Sequence, residues 1–195
     1  MMTRMPRRAA AAVAHATATG FSMSSDPAVG ELLRVLAAAV PPGGRILEIG
    51  TGTGFGTAWV VDGLGARTDV EVVTVDIDAE RVAEVAGRGW PPYTIFEVGD
   101  GLDVLARSGT FDLIFADAAP GKWVGLDRTI AALRPAGVLI VDDMRAWPDG
   151  DPEAGAAQER VRAALFGAAE LVAVELAHGS GVVIATRLPG QPSEG

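Results

Sequence analysis

Cysteine is absent from this sequence of 195 residues. Its absence excludes a disulfide scaffold, a thiolate metal site and a cysteine nucleophile. Basic residues are few, since 16 Lys and Arg stand against 25 Asp and Glu, for a formal net charge of −9. That balance disfavours long-range attraction to nucleic acid. Lysine occurs only once, as Lys122, so a side-chain ammonium group is available at a single position.

Long apolar runs are also missing. No stretch of about twenty apolar residues occurs, so the sequence predicts no membrane span. Arginines at positions 4, 7 and 8 precede the alanine-rich residues 9–14, which superficially resembles an export signal. That run is short and weakly hydrophobic, and His15, Thr17 and Thr19 interrupt it. We therefore predict an alanine-rich helix lying on the domain, and a cytoplasmic protein.

Short apolar runs alternate with segments of helical length along most of the chain. The runs that predict buried strands are residues 45–49, 71–76, 94–98, 111–116 and 137–142, and the helical segments are 55–65, 79–88, 101–108, 122–134 and 153–168. Such alternation predicts an α/β fold with a doubly wound, mostly parallel sheet. Residues 171–177 and 181–187 are separated by only three residues, which predicts an antiparallel hairpin and brings the sheet to seven strands.

We expect these elements to form one domain over residues 1–195. Residues 1–40 predict a helical cap made of two helices, the second capped by Ser25 or Asp26 and carrying Pro27 at its first position. The Pro- and Gly-containing residues 188–195 predict a loose tail.

A glycine-rich segment, EIGTGTGFG from Glu48 to Gly56, follows the first predicted strand. Glycines there allow a tight turn and close approach of a ligand to the backbone, next to the free N–H groups of a helix start. The dinucleotide-binding fingerprint needs a third glycine three positions after a G-x-G pair, and Phe55, Thr57 and Trp59 occupy the three available places. The only Gly-Lys pair lacks the other residues of a phosphate-binding P-loop.

Acidic residues close the next two predicted strands. Asp76 lies 22 residues after Gly54, the distance that a helix and a returning strand consume. A carboxylate there can accept both hydroxyls of a ribose, or it can cap the helix that begins at Ala79, for which Asp78 is an equal candidate. Asp100 can likewise meet an adenine amino group or cap the following turn.

Together these segments resemble the class I S-adenosylmethionine (SAM)-dependent methyltransferases. The resemblance covers nearly the whole chain and rests on residues 48–56, Asp76-Ile77-Asp78, Val98-Gly99-Asp100, residues 111–118 and residues 133–141. It implies a Rossmann-like methyltransferase fold. It also implies that the loop, including Gly50, Thr51 and Gly54, holds the methionine portion, that Glu48 orders the amino group, that Asp76 holds the ribose, and that Asp100, Gly101 and Ile77 frame the adenine.

Within that class the chain is similar to the small O-methyltransferases typified by the catechol and caffeoyl-CoA enzymes. The segment GFSMSS at residues 20–25, before a Gly-Glu-Leu-Leu helix, resembles the part that closes over the cofactor in that branch. This similarity places Met23 near the sulfonium, although a core methionine is the alternative. A small-molecule methyl acceptor is the default expectation, and the branch implies a homodimer.

The metal-dependent members of this branch carry an Asp after the fourth strand and an Asp-Asn pair after the fifth. The matching positions here are Asp117 and Asp142-Asp143, and three such oxygen ligands suit Mg²⁺. Asp143 departs from the usual Asn, and Pro120 stands where the branch has its catalytic Lys, with Lys122 two residues later. Lys122 is therefore a candidate base, a partner of Asp117 or an exposed helix residue.

Other candidates have weaker support. His178 in the hairpin turn is a candidate base or a solvated turn residue. Trp90, Trp123 and Trp147 are candidates for an aromatic pocket, whereas Trp59 fits the core. Two competing functions remain: a nicotinamide oxidoreductase, which shares the sheet but fails the glycine spacing, and a non-catalytic SAM-binding protein, which needs no polar residues at 117, 122 and 142.

Overall fold

The computed structural model describes residues 4–145 and 152–190. Its helices are α1 (Arg7–Thr19), α2 (Pro27–Ala39), α3 (Phe55–Leu64), α4 (Ala79–Ala86), α5 (Gly101–Arg107), α6 (Ala119–Lys122), α7 (Leu126–Ala131) and α8 (Pro152–Gly167). Its strands are β1 (Arg45–Ile49), β2 (Glu71–Asp76), β3 (Thr94–Val98), β4 (Phe111–Ala116), β5 (Leu133–Val141), β6 (Leu171–Leu176) and β7 (Val182–Arg187).

The seven strands form one sheet in the order β3-β2-β1-β4-β5-β7-β6. The first five are parallel, while β7 pairs antiparallel with both β5 and β6. This arrangement confirms the predicted fold class and the closing hairpin. The strand order reverses between β1 and β4, so the ligand crevice of such a sheet lies at the carboxyl ends of these two strands and their neighbours.

Alternate residues of the central strands point to opposite faces of the sheet, and each face is covered by helices. On one face Ile46, Val72 and Leu113 pack with Leu33 of α2 and with Trp59 of α3, as predicted for a core tryptophan. On the other face the cluster contains strand residues together with helical side chains, among them Leu47, Ile114, Val104, Val161 and Leu165.

The predicted helix over residues 122–134 is wrong. Gly121 and Gly125 have φ angles of 83° and 72°, a left-handed conformation that interrupts a helix. The segment therefore forms two short helices, α6 and α7, and β5 begins at Leu133 instead of 137. A register shift opposite Phe111 and a φ of 64° at Ala136 mark the irregular start of β5.

The N-terminal cap consists of α1 and α2, which pack on α3 through buried residues such as Ala9, Ala12 and Val29. Asp26 is the cap of α2, because its carboxylate accepts the Ala28 N–H at 2.8 Å. Of the predicted tail, Leu188 is still tied by its N–H to Glu170 O at 2.8 Å, and residues 191–195 lie outside the described part. Among the described residues, the helices are too short or too polar to cross a membrane.

Candidate active site

The loop after β1 turns sharply against the end of β4. The N–H groups of Gly50 and Thr51 both donate to Val75 O of β2, at 2.9 and 3.2 Å. Gly50 has a φ of 110°, and a Cβ there would lie 3.2 Å from the backbone of Asp117. Glycine is thus required both by the backbone conformation and by the space. The loop brings the ends of β1, β2 and β4 together.

Gly54 begins α3 in the left-handed conformation, with a φ of 82°. A Cβ at this position would meet Val85 at 2.7 Å. The side chain of Thr51, by contrast, turns inward and shares a 2.7 Å hydrogen bond with Thr74. The loop therefore leaves its backbone groups accessible to a ligand, while the Thr51 side chain lies inside the protein.

Glu48 is buried beneath this loop. Its Oε2 accepts hydrogen bonds from the hydroxyls of Thr57 and of Thr74, the latter at 2.6 Å. Burial raises the pKa of Glu48 to about 7, because the carboxylate loses its hydration and the two hydroxyls offset only part of that cost. Its Oε1 lies against Gly56, where a Cβ would approach it to 2.2 Å.

Asp76 at the end of β2 is held by backbone donors. Its two oxygens accept the N–H groups of Gly52 at 2.9 Å and Asp78 at 3.1 Å. The cap of α4 is Asp78, which accepts the Arg81 N–H at 3.0 Å. Helix capping therefore does not account for Asp76. Its carboxylate is oriented beside the glycine loop and keeps lone pairs for further donors.

The three residues predicted to frame an adenine lie at the neighbouring strand ends. Asp100 caps α5 by accepting the Leu102 N–H at 2.8 Å. Gly101 lies against β1, since a Cβ there would meet Ile49 at 2.5 Å. Ile77, directly after β2, is 78% exposed.

Residues 20–26, between α1 and α2, cross over the glycine loop. The Phe21 ring lies 3.3 Å from the position of a Cβ on Gly52, and the Arg81 guanidinium stacks on that ring at 4.7 Å. Ser25 donates to Asp117 at 2.6 Å, which fastens the segment to the end of β4. Met23 is 74% exposed and does not belong to the core.

Asp117, Asp142 and Asp143 gather at the ends of β4 and β5 around Lys122. The lysine is 2% exposed, and its Nζ lies 2.7 Å from Asp143 Oδ2 and 3.9 Å from Asp117 Oδ1. It also lies 4.8 Å from the centre of the Trp123 ring. The sequence left three interpretations of Lys122 open. The structure shows the pairing with carboxylates, Asp117 among them, and the prediction of an exposed helix residue is wrong.

Burial raises the pKa of Asp117 well above its usual range, and Lys122 offsets this only in part. Burial also raises the pKa of Asp142, whose Oδ1 accepts the Ser180 hydroxyl and, at 2.7 Å, the Asp143 N–H. The other oxygen of Asp142 is buried and has no hydrogen-bond partner in the described part of the chain. Burial thus makes two of the three carboxylates stronger bases than solvated aspartates.

The predicted Mg²⁺ ligands do not fit a divalent cation as they stand. Within residues 4–145 and 152–190, no three His, Cys, Asp or Glu side chains are arranged to hold a metal ion. Each of the three carboxylates already accepts a hydrogen bond, from Ser25, Ser180 or Lys122. An ammonium group lies between two of them, where like charge would repel an added cation.

The remaining candidates occupy the edges of the site. The ring of His178 is tied to α2 through a 2.9 Å hydrogen bond between Nε2 and Ala28 O. The indole of Trp90 donates to Val85 O at 2.7 Å and packs beside the glycine loop, near Gly54. Trp123 stacks on Lys122, and Trp147 lies outside the described residues.

Sequence reasoning missed two contributors. Ser180 reaches Asp142 from the hairpin turn, and Arg81 reaches both Asp76, at 3.6 Å, and the Phe21 ring. Ser180 is distant in sequence from Asp142, and Arg81 is distant from Phe21 although it is close to Asp76. The one available signal is the closing hairpin, which brings its turn to the end of β5.

Comparisons with known proteins agree with this geometry. The sequence model of a family described as "Methyltransferase domain" matches residues 47–144. A curated relative from Mycolicibacterium vanbaalenii, named "Putative O-methyltransferase", is 35% identical over 158 residues, which is 76% of this chain and 67% of that protein. A second with the same name, from a Mycobacterium species, is 32% identical over 83% of this chain and 78% of its own.

A solved structure with the same fold is the O-methyltransferase TomG from Streptomyces achromogenes in complex with SAM. It has a TM-score of 0.79 and 23% identity, covering 96% of this chain and 92% of its own. The chain therefore belongs to the methyltransferase-domain family and is a methyltransferase.

Proposed function

We propose that this protein transfers the methyl group of SAM to a hydroxyl oxygen of a small molecule. The observation that carries the proposal is the pairing of two sites at the same edge of the sheet. The glycine loop with Asp76 provides a nucleoside site, and the buried carboxylates with Lys122 provide polar chemistry next to it. The names of the curated relatives support oxygen as the acceptor atom.

For the cofactor, Asp76 accepts the ribose hydroxyls, and Asp100, Gly101 and Ile77 surround the adenine. The backbone of Gly50, Thr51 and Gly54 lies along the methionine portion. Glu48 orders the amino group from beneath the loop, where a cation would stabilise its carboxylate. Residues 20–26 cover the cofactor, with Met23 near the sulfonium.

For the reaction, the acceptor oxygen attacks the methyl carbon as the bond from carbon to the sulfonium sulfur breaks. The products are a methyl ether and uncharged S-adenosylhomocysteine (SAH), and the hydroxyl proton must leave. We assign that proton to Asp117, whose burial makes its carboxylate a stronger base than a solvated one. Lys122, already paired with carboxylates, acts as a hydrogen-bond donor to the acceptor oxygen in place of the base predicted from sequence.

The test is methyl transfer from SAM carrying a labelled methyl group to a panel of phenols and alcohols, with matched amines. We expect labelled ethers from some hydroxyl compounds. Asp117→Asn should lower kcat by about 10²–10⁴, whereas Asp127→Asn, at an exposed position on α7, should keep it. Products only from amines would overturn the acceptor atom. SAH binding without any product would favour the non-catalytic alternative.

A further inference from the structure

We infer that the Lys122 ammonium occupies the cation position of this site, so that methyl transfer here needs no divalent metal. The inference deepens the proposed function and rests on it for the catalytic part. Lys122 is only 2% exposed, and the charge of a buried lysine must be compensated. The compensation comes from Asp143, Asp117 and the face of Trp123.

The ammonium lies between carboxylates from two different strand ends. Asp117 follows β4 and Asp143 follows β5, and both face the same nitrogen, at 3.9 and 2.7 Å. They are two of the three residues that the resemblance assigns to a metal. The hydrogen bond to Asp143 uses one of the three N–H donors of the ammonium group, which leaves a donor for the acceptor oxygen.

Local backbone geometry directs the lysine to this place. Gly121 has a φ of 83°, and a Cβ there would meet Ile49 at 2.6 Å. The turn therefore lies tightly against the end of β1, and its carbonyl is fixed by the Thr129 hydroxyl at 2.8 Å. Such a fixed turn presents the next residue, Lys122, to the interior.

Two departures from the branch's usual sequence are explained by this one contact. The branch has Asn where this chain has Asp143, and it has its catalytic Lys where this chain has Pro120, two residues before Lys122. The added negative charge of Asp143 and the displaced positive charge of Lys122 meet here at 2.7 Å. Asp143 is therefore the partner of the ammonium and not a metal ligand.

A divalent ion would require all three carboxylates to turn. Mg²⁺ needs oxygens at about 2.0–2.1 Å in octahedral geometry. Asp117 is committed to Ser25, and Asp142 to Ser180 and to a backbone N–H. The free oxygen of Asp142 is buried and stands alone among the described residues. The arrangement favours one fixed, monovalent cation supplied by the chain.

The test measures Mn²⁺ binding by the loss of the free-ion electron paramagnetic resonance signal, with the protein saturated with SAH. We expect the wild-type protein to leave the Mn²⁺ signal unchanged. The double variant Lys122→Ala with Asp143→Asn removes the pair and restores the branch's Asp, Asp, Asn set. It should bind Mn²⁺ at least about tenfold more tightly than wild type. Lys122→Arg, which keeps a cation, is the matched control and should not bind.

Stoichiometric Mn²⁺ binding by the wild type would overturn the inference. No binding by either wild type or double variant would also overturn it, because the carboxylates would then not form a cation site. SAH calorimetry checks that each variant is folded, and Lys122→Gln replaces the double variant if that protein does not bind SAH. Methyl transfer by the wild type should be unchanged in excess chelator. Because Mn²⁺ binding requires no turnover, a failure of the proposed function is seen separately.

Discussion

Asp76 and Asp78 are two aspartates, two residues apart, with different tasks. Asp78 caps α4, while Asp76 is held by two backbone N–H groups beside the glycine loop. Hydrogen bonds to a charged group are worth about 1.5–3 kcal/mol. Asp76→Ala should therefore weaken SAH binding by at least about tenfold.

Calorimetry of both variants provides the comparison. Asp78→Ala should lower the free energy of unfolding by about 1 kcal/mol, the usual cost of a lost cap. It should change the affinity for SAH by no more than about threefold. Equal affinities for Asp76→Ala and wild type would remove the ribose assignment.

Glu48 links the site to pH. Its pKa is 4.5 in an ordinary setting and about 7 in the folded protein, so the folded state binds more protons than the unfolded state between these values. Stability then falls as pH rises through this window, by about 3 kcal/mol in total. Glu48→Gln removes the titrating group, so this part of the pH dependence should disappear.

Urea unfolding of the ligand-free protein at several pH values between 5 and 8 measures the effect. Asp117 and Asp142 contribute in the same direction, because burial raises both of their pKa values. The difference between wild type and Glu48→Gln isolates the contribution of Glu48. Parallel curves for the two proteins would show that Glu48 is charged in the folded state throughout.

At the scale of elements, residues 20–26 connect the helical cap to the sheet. In this segment the Ser25 hydroxyl donates a 2.6 Å hydrogen bond to Asp117, which directly follows β4. Ser25→Ala should loosen the segment. Because SAH binding would then have to order residues 20–26, the affinity for SAH should fall by about three- to tenfold. Ser24→Ala, exposed in the same segment, should leave it within about twofold. Equal losses in both variants would show a general effect of loop composition.

The elements also show where a pattern of residue types stops being informative. The strands β1 to β4 were predicted to the residue, because each is a short apolar run between turn residues, whereas β5 begins at Leu133 instead of 137. The segment after β4 was predicted as one helix because it is a stretch of helical length between two apolar runs. Gly121 and Gly125 in fact adopt left-handed conformations. They pack so closely against Ile49 and Leu102, respectively, that a Cβ would not fit at either position.

The whole molecule should respond to its cofactor as one cooperative unit. A ligand present at 100 times its Kd stabilises a folded protein by about 2.7 kcal/mol. In a chain of this size that corresponds to a rise in Tm of about 5–10 °C. SAH should produce this rise in differential scanning calorimetry, and NAD should not, because the glycine spacing differs from the dinucleotide fingerprint. A similar rise with NAD would revive the oxidoreductase alternative.

The sequence determines the position of some residues of the candidate site and not of others, for a physical reason. Asp76 ends β2 and Asp117 directly follows β4, so the fold class alone fixes where they lie. Ser180 reaches Asp142 and Arg81 reaches the Phe21 ring across the structure, and the orientation of Lys122 depends on a turn that packing selects. The sequence shows that residue 122 is a lysine, but it does not show that this lysine is buried.

The position of β7 has a consequence for synthesis. It lies between β5 and β6 in the sheet, although it follows both in the chain. A nascent polypeptide can pair β1 to β5 as they leave the ribosome, but β5 then remains an open edge with unpaired backbone groups. The edge closes only after residue 187 emerges, and Ser180 reaches Asp142 from the same hairpin. The hydrogen bond that holds Asp142 therefore forms only after the hairpin has been synthesised, and the acidic cluster lacks this contact before then.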